Sequence, residues 1–385
     1  MIFIIRKVFW LWLVSLAISC QQKENKPTES TTTSDLTPAN IEYAKGFSLS
    51  YASDFTLLEI FSPFQDANDT LKYILQSKEN EIPAGYSDYK LIQVPVERMV
   101  LTSTTHIAMM THLGKSDAIC AVTDPGFIFD SAIKKAIAEG KIAEAGSNGQ
   151  INLETVLALN TGLVMSGAWS TTAYEKYTPL INVGIPVMVN AEWTEPHPLG
   201  RMEWIKIFGA LLNEQEKANN LFEDSKKAYL SLSDLVGKTE LDKPTVINAM
   251  PYQEAWSIAG GNSYVGKLFK DAGADWHWAN DTSSVSLQLD FETVYQVGEQ
   301  ADIWIAPGRT VHLSEILTID NRFGNFKSFQ KGEVYNYHNR INEAGMYDFY
   351  ESGITKPEII LADLVKIFHP TLLPEHELYY FKKLD

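Results

Sequence analysis

Asn152-Leu153-Glu154-Thr155-Val156 and Asp290-Phe291-Glu292-Thr293-Val294 are near-copies of one phrase, and they decide how the chain reads. Each begins with Asn or Asp, continues with an apolar residue and ends in Glu-Thr-Val. An apolar run follows each copy, Leu163-Val164-Met165 after the first and Ile303-Trp304-Ile305 after the second. A side-chain oxygen of Asn or Asp accepts a free N–H of a helix's first turn. An acid inside that turn is favoured by the helix dipole. The phrase therefore predicts a helix start and then a buried strand, twice over. Two similar lobes follow, each holding one carboxylate, Glu154 or Glu292, at a helix N-terminus. Dipole complementation alone would also explain those acids.

Outward from the repeat, the pattern supports an α/β fold. Residues 98–101 read as a strand, Ser103-Thr104-Thr105 as caps for a helix through Leu113, Gly114 as its end, and 118–122 as the next strand. That is a βαβ unit, the building block of parallel sheets. Further strands are expected at 163–165 and 187–190. In the centre, Trp204, Ile207, Phe208, Leu211 and Leu212 fall on one helical stripe. Asn213 is expected to cap a second helix carrying Ala218, Leu221, Phe222, Tyr229 and Leu232. The style of the first lobe then returns, with strands at 244–248, 303–305 and 334–337, a helix after Ser263 closed by Gly273, and a last helix from Pro357. The expected fold is α/β, two lobes with mainly parallel sheets joined by a long rigid helical backbone. Its divisions fall at 97–197 for the first lobe, 198–236 for the backbone and 237–385 for the second lobe. Ahead of them, 41–96 alternates like a run of hairpins and forms a β-rich extension.

Arg6 and Lys7 precede an apolar run over 8–18 that leads to Cys20, the layout of a secretory signal. The run falls short of the roughly 20 apolar residues that span a bilayer. Leu16-Ala17-Ile18-Ser19-Cys20 is similar to a bacterial lipobox, with Ala17 where Leu is usual. The expectation is a signal peptide over 1–19, lipidation at Cys20 and a disordered polar tether over 20–40; an ordinary secretory signal with an incidental Cys is the alternative. A net charge of −16 gives no general attraction to nucleic acid or anionic lipid. Once Cys20 is acylated, Cys120 is alone; it lies in an apolar run and reads as a buried strand residue.

No Gly-x-Ser-x-Gly elbow, His-Glu-x-x-His helix or phosphate-binding loop occurs, and the eight His are scattered. A non-enzymatic chain without an intrinsic cofactor is expected. A zinc or manganese receptor, with ligands from both lobes, and a secreted hydrolase are the alternatives. In α/β sheets, ligands sit at strand C-termini. The residues at those ends include Thr105, Trp169, Trp193, Tyr252, Trp256 and Arg309. Aromatic rings suit the face of a macrocycle, and Arg suits carboxylate or catecholate oxygens. Trp204 and Trp304 lie on apolar faces and read as core.

Four stretches carry a resemblance: Pro95-Val96-Glu97-Arg98-Met99-Val100, the first repeat phrase continued through Asn160, Pro198-Leu199-Gly200-Arg201, and Ser257-Ile258-Ala259-Gly260-Gly261-Asn262-Ser263. In order and spacing they resemble the substrate-binding proteins of ABC importers for iron complexes and cobalamin, of the lipoprotein type. The chain departs from that pattern at Asn160-Thr161-Gly162, where the family usually reads Asn-Pro-Asp. The resemblance implies that an iron chelate, a ferric siderophore before cobalamin or haem, is captured between the lobes and passed to a membrane permease with its ATPase. It implies that Glu154 and Glu292 dock with basic residues of that permease. A monomer in the bacterial cell envelope, held to the membrane through lipid at Cys20 and facing the periplasm or the surface, completes the expectation.

Overall fold

Short apolar runs without alternation mark strands covered on both faces, and four of them build the first sheet. Val187–Val189, Leu163–Ser166, Met99–Leu101 and Ile119–Val122 are buried at every position, and Ala143–Glu144 adds an edge. In that order they are neighbours, and every pairing is parallel. Val164 lies opposite Val187 on one side and Val100 on the other. The helix Thr104–His112 returns the chain between strands. Its start is capped by Ser103, whose Oγ accepts the Thr105 N–H at 3.3 Å. These coordinates come from a computed structural model that describes residues 36–385 apart from 67, 78–81, 241 and 254. The signal segment and Cys20 lie outside the described residues.

The second sheet repeats the plan with fewer strands. Val246–Asn248, Ile303–Ile305 and Val334–Asn336 run parallel, and Lys382–Lys383 closes the edge antiparallel. Beyond its first strand, where the first sheet has Ile119–Val122, this lobe has one parallel bridge from Thr245 to Asp275. A separate antiparallel sheet of Pro251–Tyr252, Ala255–Ile258 and Leu287–Asp290 follows that strand. The α/β class with two mainly parallel sheets thus stands as expected.

Three helices join the sheets: Pro198–Glu203, Ile205–Leu212 and the 23-residue Gln215–Gly237. Asn213 has φ 55° and closes the second of these; it does not cap the third, as the sequence pattern predicts. Asn tolerates the left-handed conformation that ends a helix, and the third helix starts at Glu214 without a side-chain cap. Its crossing with the second is close. A Cβ on Gly209 would stand 2.6 Å from the Ala218 Cβ, so glycine is required there.

The N-terminal residues form a five-stranded sheet of Thr37–Pro38, Phe47–Tyr51, Phe55–Phe61, Thr70–Gln76 and Lys90–Gln93. The first four pair antiparallel. The last runs parallel to Thr70–Gln76, so it is no hairpin partner; the connection over 77–89 is long enough for a parallel return. Two buried carboxylates, Glu195 just before the connector and Glu203 in its first helix, hold the residues that lead into the strand Phe47–Tyr51. Glu203, 0% exposed, accepts the N–H groups of Glu42 (2.9 Å), Tyr43 (2.8 Å) and Ala44 (2.9 Å) and the Lys206 ammonium (2.7 Å). Glu195 accepts those of Lys45 (2.9 Å) and Gly46 (2.8 Å) and the Trp204 indole N–H (3.1 Å). Charge-assisted bonds of this kind are about twice as strong as neutral ones. Cys120, Trp204 and Trp304 are buried, in line with the sequence reading.

Candidate functional site

The C-terminal ends of both parallel sheets converge on a cavity of about 930 Å³. The first lobe contributes Ser103, Thr104 and Thr105 past Met99–Leu101, and Glu192, Trp193 and Thr194 past Val187–Val189. The second contributes Asn248 and Ala249, Ala306, and Tyr337, each at or just past a strand end. Tyr264, Phe349 and Tyr350 add aromatic wall. Outward, the cavity continues into a second space of about 700 Å³ that shares Ser103, Thr104, Ala249, Ala306, Tyr337 and Tyr350 with it.

Arg201 is the charged centre of the main cavity. It leaves the first connector helix, and its Nε and one terminal nitrogen donate to the carbonyls of Glu195 (3.0 Å) and Trp193 (3.1 Å). Those bonds spread the guanidinium over the Tyr264 ring of the other lobe, 3.8 Å from its centroid, a cation–π contact. Burial pushes its pKa down, and Tyr264, Glu192 and Glu195 oppose that shift. An arginine still keeps its proton in a protein. Across the wall, burial pushes the Glu192 carboxyl up against a hydrogen bond from Thr105, while the Asn190 amide donates to Glu192 Oε2 at 2.6 Å. Trp193 Nε1 and Asn190 Oδ1 are buried without a hydrogen-bond partner among the described residues. The Tyr337 and Tyr350 hydroxyls lie 2.8 Å apart, and burial raises both phenol pKa values. The arrangement can hold a bulky ligand by apolar contact and one fixed positive charge.

Of the six ligand candidates, Thr105 and Trp193 line the main cavity, and Arg309 lines the outer space. Trp169 is 59% exposed and borders a smaller recess that shares Thr102, Thr123, Asp124 and Gly149 with the outer space. Tyr252 is 79% exposed on its hairpin and lines none of these spaces. Trp256 requires a correction. It is 0% exposed, its ring is packed among Phe291, Trp304, Phe323 and Phe326, and its indole N–H donates to the Asn248 carbonyl at 3.0 Å. Successive strand residues face opposite ways; in Ala255–Ile258 that turns Trp256 inward and gives the cavity Ser257 instead. Sequence reasoning named Arg201 only within a helix-entry phrase and missed Tyr264 and Glu192. The available signal for Arg201 was a lone arginine in an otherwise buried helical run, Pro198–Glu203.

The repeated phrase forms two matching caps. Asn152 Oδ1 accepts the Thr155 N–H at 3.1 Å, and Asp290 Oδ1 accepts that of Thr293 at 2.9 Å. Glu154 is exposed and has no ion-pair partner among the described residues. Glu292 is 66% exposed and lies 2.9 Å from Arg322, which also binds Asp320 at 2.7 Å. Among the described residues, no group of three or more His, Cys, Asp and Glu is placed to hold a metal ion, and no helix is long and apolar enough to cross a membrane.

The pattern that defines the periplasmic binding protein family matches residues 100–341. An uncharacterised lipoprotein of Methanocaldococcus jannaschii is 26% identical over 331 residues, 82% of this chain and 76% of the relative. Among solved structures, a possible iron-binding periplasmic solute-binding protein of Staphylococcus epidermidis superposes with a TM-score of 0.55 at 14% identity, covering 71% of this chain and 99% of that one. A periplasmic haem-binding protein of Pseudomonas aeruginosa gives 0.53 at 16% identity, covering 72% and 94%. At these identities the structural likeness speaks for the fold.

Proposed function

The chain belongs to the periplasmic binding protein family, and from that premise we propose that it is the substrate-binding component of an ABC importer. It captures a ferric siderophore between its lobes and delivers it to the permease and ATPase, without covalent chemistry of its own. The observation that carries this reading is the cavity itself: about 930 Å³ at the strand ends of both sheets, walled by aromatic rings, with one guanidinium held flat. That volume lies within the usual range for small-molecule sites. Thr105, Trp169, Trp193 and Arg309 are the proposed contacts from the sequence reading, with Arg201 and Tyr264 added. Haem is the second reading, because phenol oxygens can ligate its iron and two of them meet on the wall at Tyr337 and Tyr350. A phenol is protonated at neutral pH even at its ordinary pKa, so a chelate that brings its own full set of iron ligands is the first reading.

Glu154 and Glu292 are the proposed docking groups. The divisions at 97, 198 and 237 are retained as the proposed lobe and connector limits. The chain acts as a monomer in the cell envelope, anchored through Cys20; the lipoprotein relative supports that placement. Equilibrium titration of the purified mature chain tests the ligand claim, with Trp fluorescence as readout because Trp193 lines the cavity. Saturable quenching by a ferric tris-hydroxamate or tris-catecholate is expected, and Arg201→Met should weaken it. Saturable binding of none of these, nor of haem or cobalamin, would remove the reading.

A further inference from the structure

The N-terminal five-stranded sheet precedes the segment that matches the family, residues 100–341, and capture and docking leave it without a task. Its loop between Phe55–Phe61 and Thr70–Gln76 reaches the first lobe. The Ser62 N–H donates to the Asp69 carbonyl at 2.9 Å and closes the loop's neck. The Gln65 N–H donates to the Trp169 carbonyl at 3.1 Å. The Asp66 carboxylate accepts the Thr171 N–H (3.0 Å) and hydroxyl (2.6 Å) at the start of the helix Thr171–Glu175. Phe64 is buried, with its ring centroid 5.4 Å from that of Tyr174. Thus pinned, the loop places Phe64 and Gln65 in the lining of the main cavity, together with Thr105 and Trp193. The sheet behind it is held in turn by Glu195 of the first lobe and Glu203 of the connector.

We propose that this sheet is a ligand-selecting element, whose 62–66 loop forms one wall of the cleft and reads the uncharged periphery of the chelate. The inference rests on the cleft being the ligand site. Phe64 supplies an apolar ring and Gln65 a neutral amide with two donors and an acceptor. The one charge on the loop's lining segment, Asp66, is occupied by Thr171. Positive charge enters the cleft from other elements, at Arg201 and Arg309. The loop therefore suits amide- or hydroxyl-bearing arms of a ligand, and any negative charge of the chelating groups is met elsewhere, at the two arginines.

The test uses the full mature chain and four probes: two neutral ferric tris-hydroxamates on cyclic peptides, one with serine hydroxyls on the ring and one with glycine only, then haem and cyanocobalamin. Gln65→Ala is the deciding variant, since Gln65 is exposed and its loss should leave the melting temperature unchanged; Phe64→Ala is a second probe of the wall. Gln65→Ala should change the affinity ratio between two bound probes about fivefold, the effect of one hydrogen bond. Arg201→Met should instead weaken every bound probe. Unchanged ratios in both loop variants, with Arg201→Met still impaired, would overturn the selecting role and leave the cleft reading intact. No binding by the unaltered chain, or full binding by Arg201→Met, would remove the cleft reading and this inference with it.

Discussion

The two lobes present different chemistry from the same frame. Leu163–Ser166 and Ile303–Ile305 each lie between two parallel neighbours. Six residues beyond the first residue of each strand, one lobe exposes Trp169 and the other Arg309. The helices before those strands start with the same cap, yet Glu154 stands unpaired and Glu292 shares Arg322 with Asp320. Backbone geometry is therefore common to the lobes, whereas charge at the strand tips and helix starts is particular to each. On the proposed reading, a ligand bound between them would meet a ring on one side and a cation on the other.

The strongest way to break the comparison is to reverse both proposed docking charges. Glu154→Arg with Glu292→Arg should reduce transport in reconstituted vesicles more than about tenfold, because like charges would face the permease's basic residues. Ligand affinity should stay within about twofold, since surface changes away from special features are nearly neutral. The single variants should be unequal. Glu154→Arg should cost more transport than Glu292→Arg, whose carboxylate is already partly engaged by Arg322. Equal single effects would erase the distinction drawn between the lobes.

The strand tips come next in size. Arg309→Ala should weaken an anionic ferric tris-catecholate by about tenfold or more, as expected for a lost charge-assisted hydrogen bond, and a neutral tris-hydroxamate much less. Trp169→Ala should weaken both by a similar, smaller factor of about threefold to fivefold, through lost ring contact. Titrations at two salt concentrations separate the cases, because only the Arg309 effect should shrink with salt.

A separate effect is expected on stability, where the lobes meet. Glu351, in the second lobe, accepts the N–H groups of Phe129 (2.6 Å) and Asp130 (2.8 Å) of the first. Burial pushes its carboxyl from the ordinary 4.5 up to about 7; the two N–H donors oppose this, and Asp348 and Asp130 add to it. Arg340, Lys356 and His112 line the same polar recess. A carboxyl whose pKa is raised on folding stabilises the protein fully below its unfolded value, and that contribution is lost as pH rises through the folded one. The loss should run from about pH 4.5 to about pH 7, and at about 1.4 kcal/mol per pH unit at most it amounts to about 1–3 kcal/mol. Denaturant titrations should show this slope in the unaltered chain and a flatter one in Glu351→Gln. Parallel curves would assign the pH dependence to other groups.

What was legible in the sequence was local. Unbroken apolar runs located the parallel strands, and Ser103, Asn152, Ser263 and Asp290 cap the helices they were expected to cap. Errors came where two local rules competed. Asn213 suits either end of a helix, and the fold uses it as a stop. Trp256 follows 244–248 and so reads as a strand-end residue, yet the fold places it inside a separate strand, Ala255–Ile258, with its ring in the core. Distant pairings were not legible at all. Glu203 binds backbone about 160 positions earlier in the chain, and Arg201 meets Tyr264 only once the second lobe packs against the connector. No spacing in the sequence records such contacts, which is why the centre of the cleft and the anchoring of the N-terminal sheet emerged only from the structure.

The central claim is that the inter-lobe cleft holds an iron-bearing chelate, and one measurement tests it most directly: the visible spectrum and metal content of the protein purified from its native envelope. The account predicts a coloured protein with an iron–siderophore absorption band and about one iron per chain, with the colour lost from the Arg201→Met variant. A haem or cobalamin spectrum would keep the cleft and change its ligand. A colourless protein carrying one tightly held zinc would contradict the account.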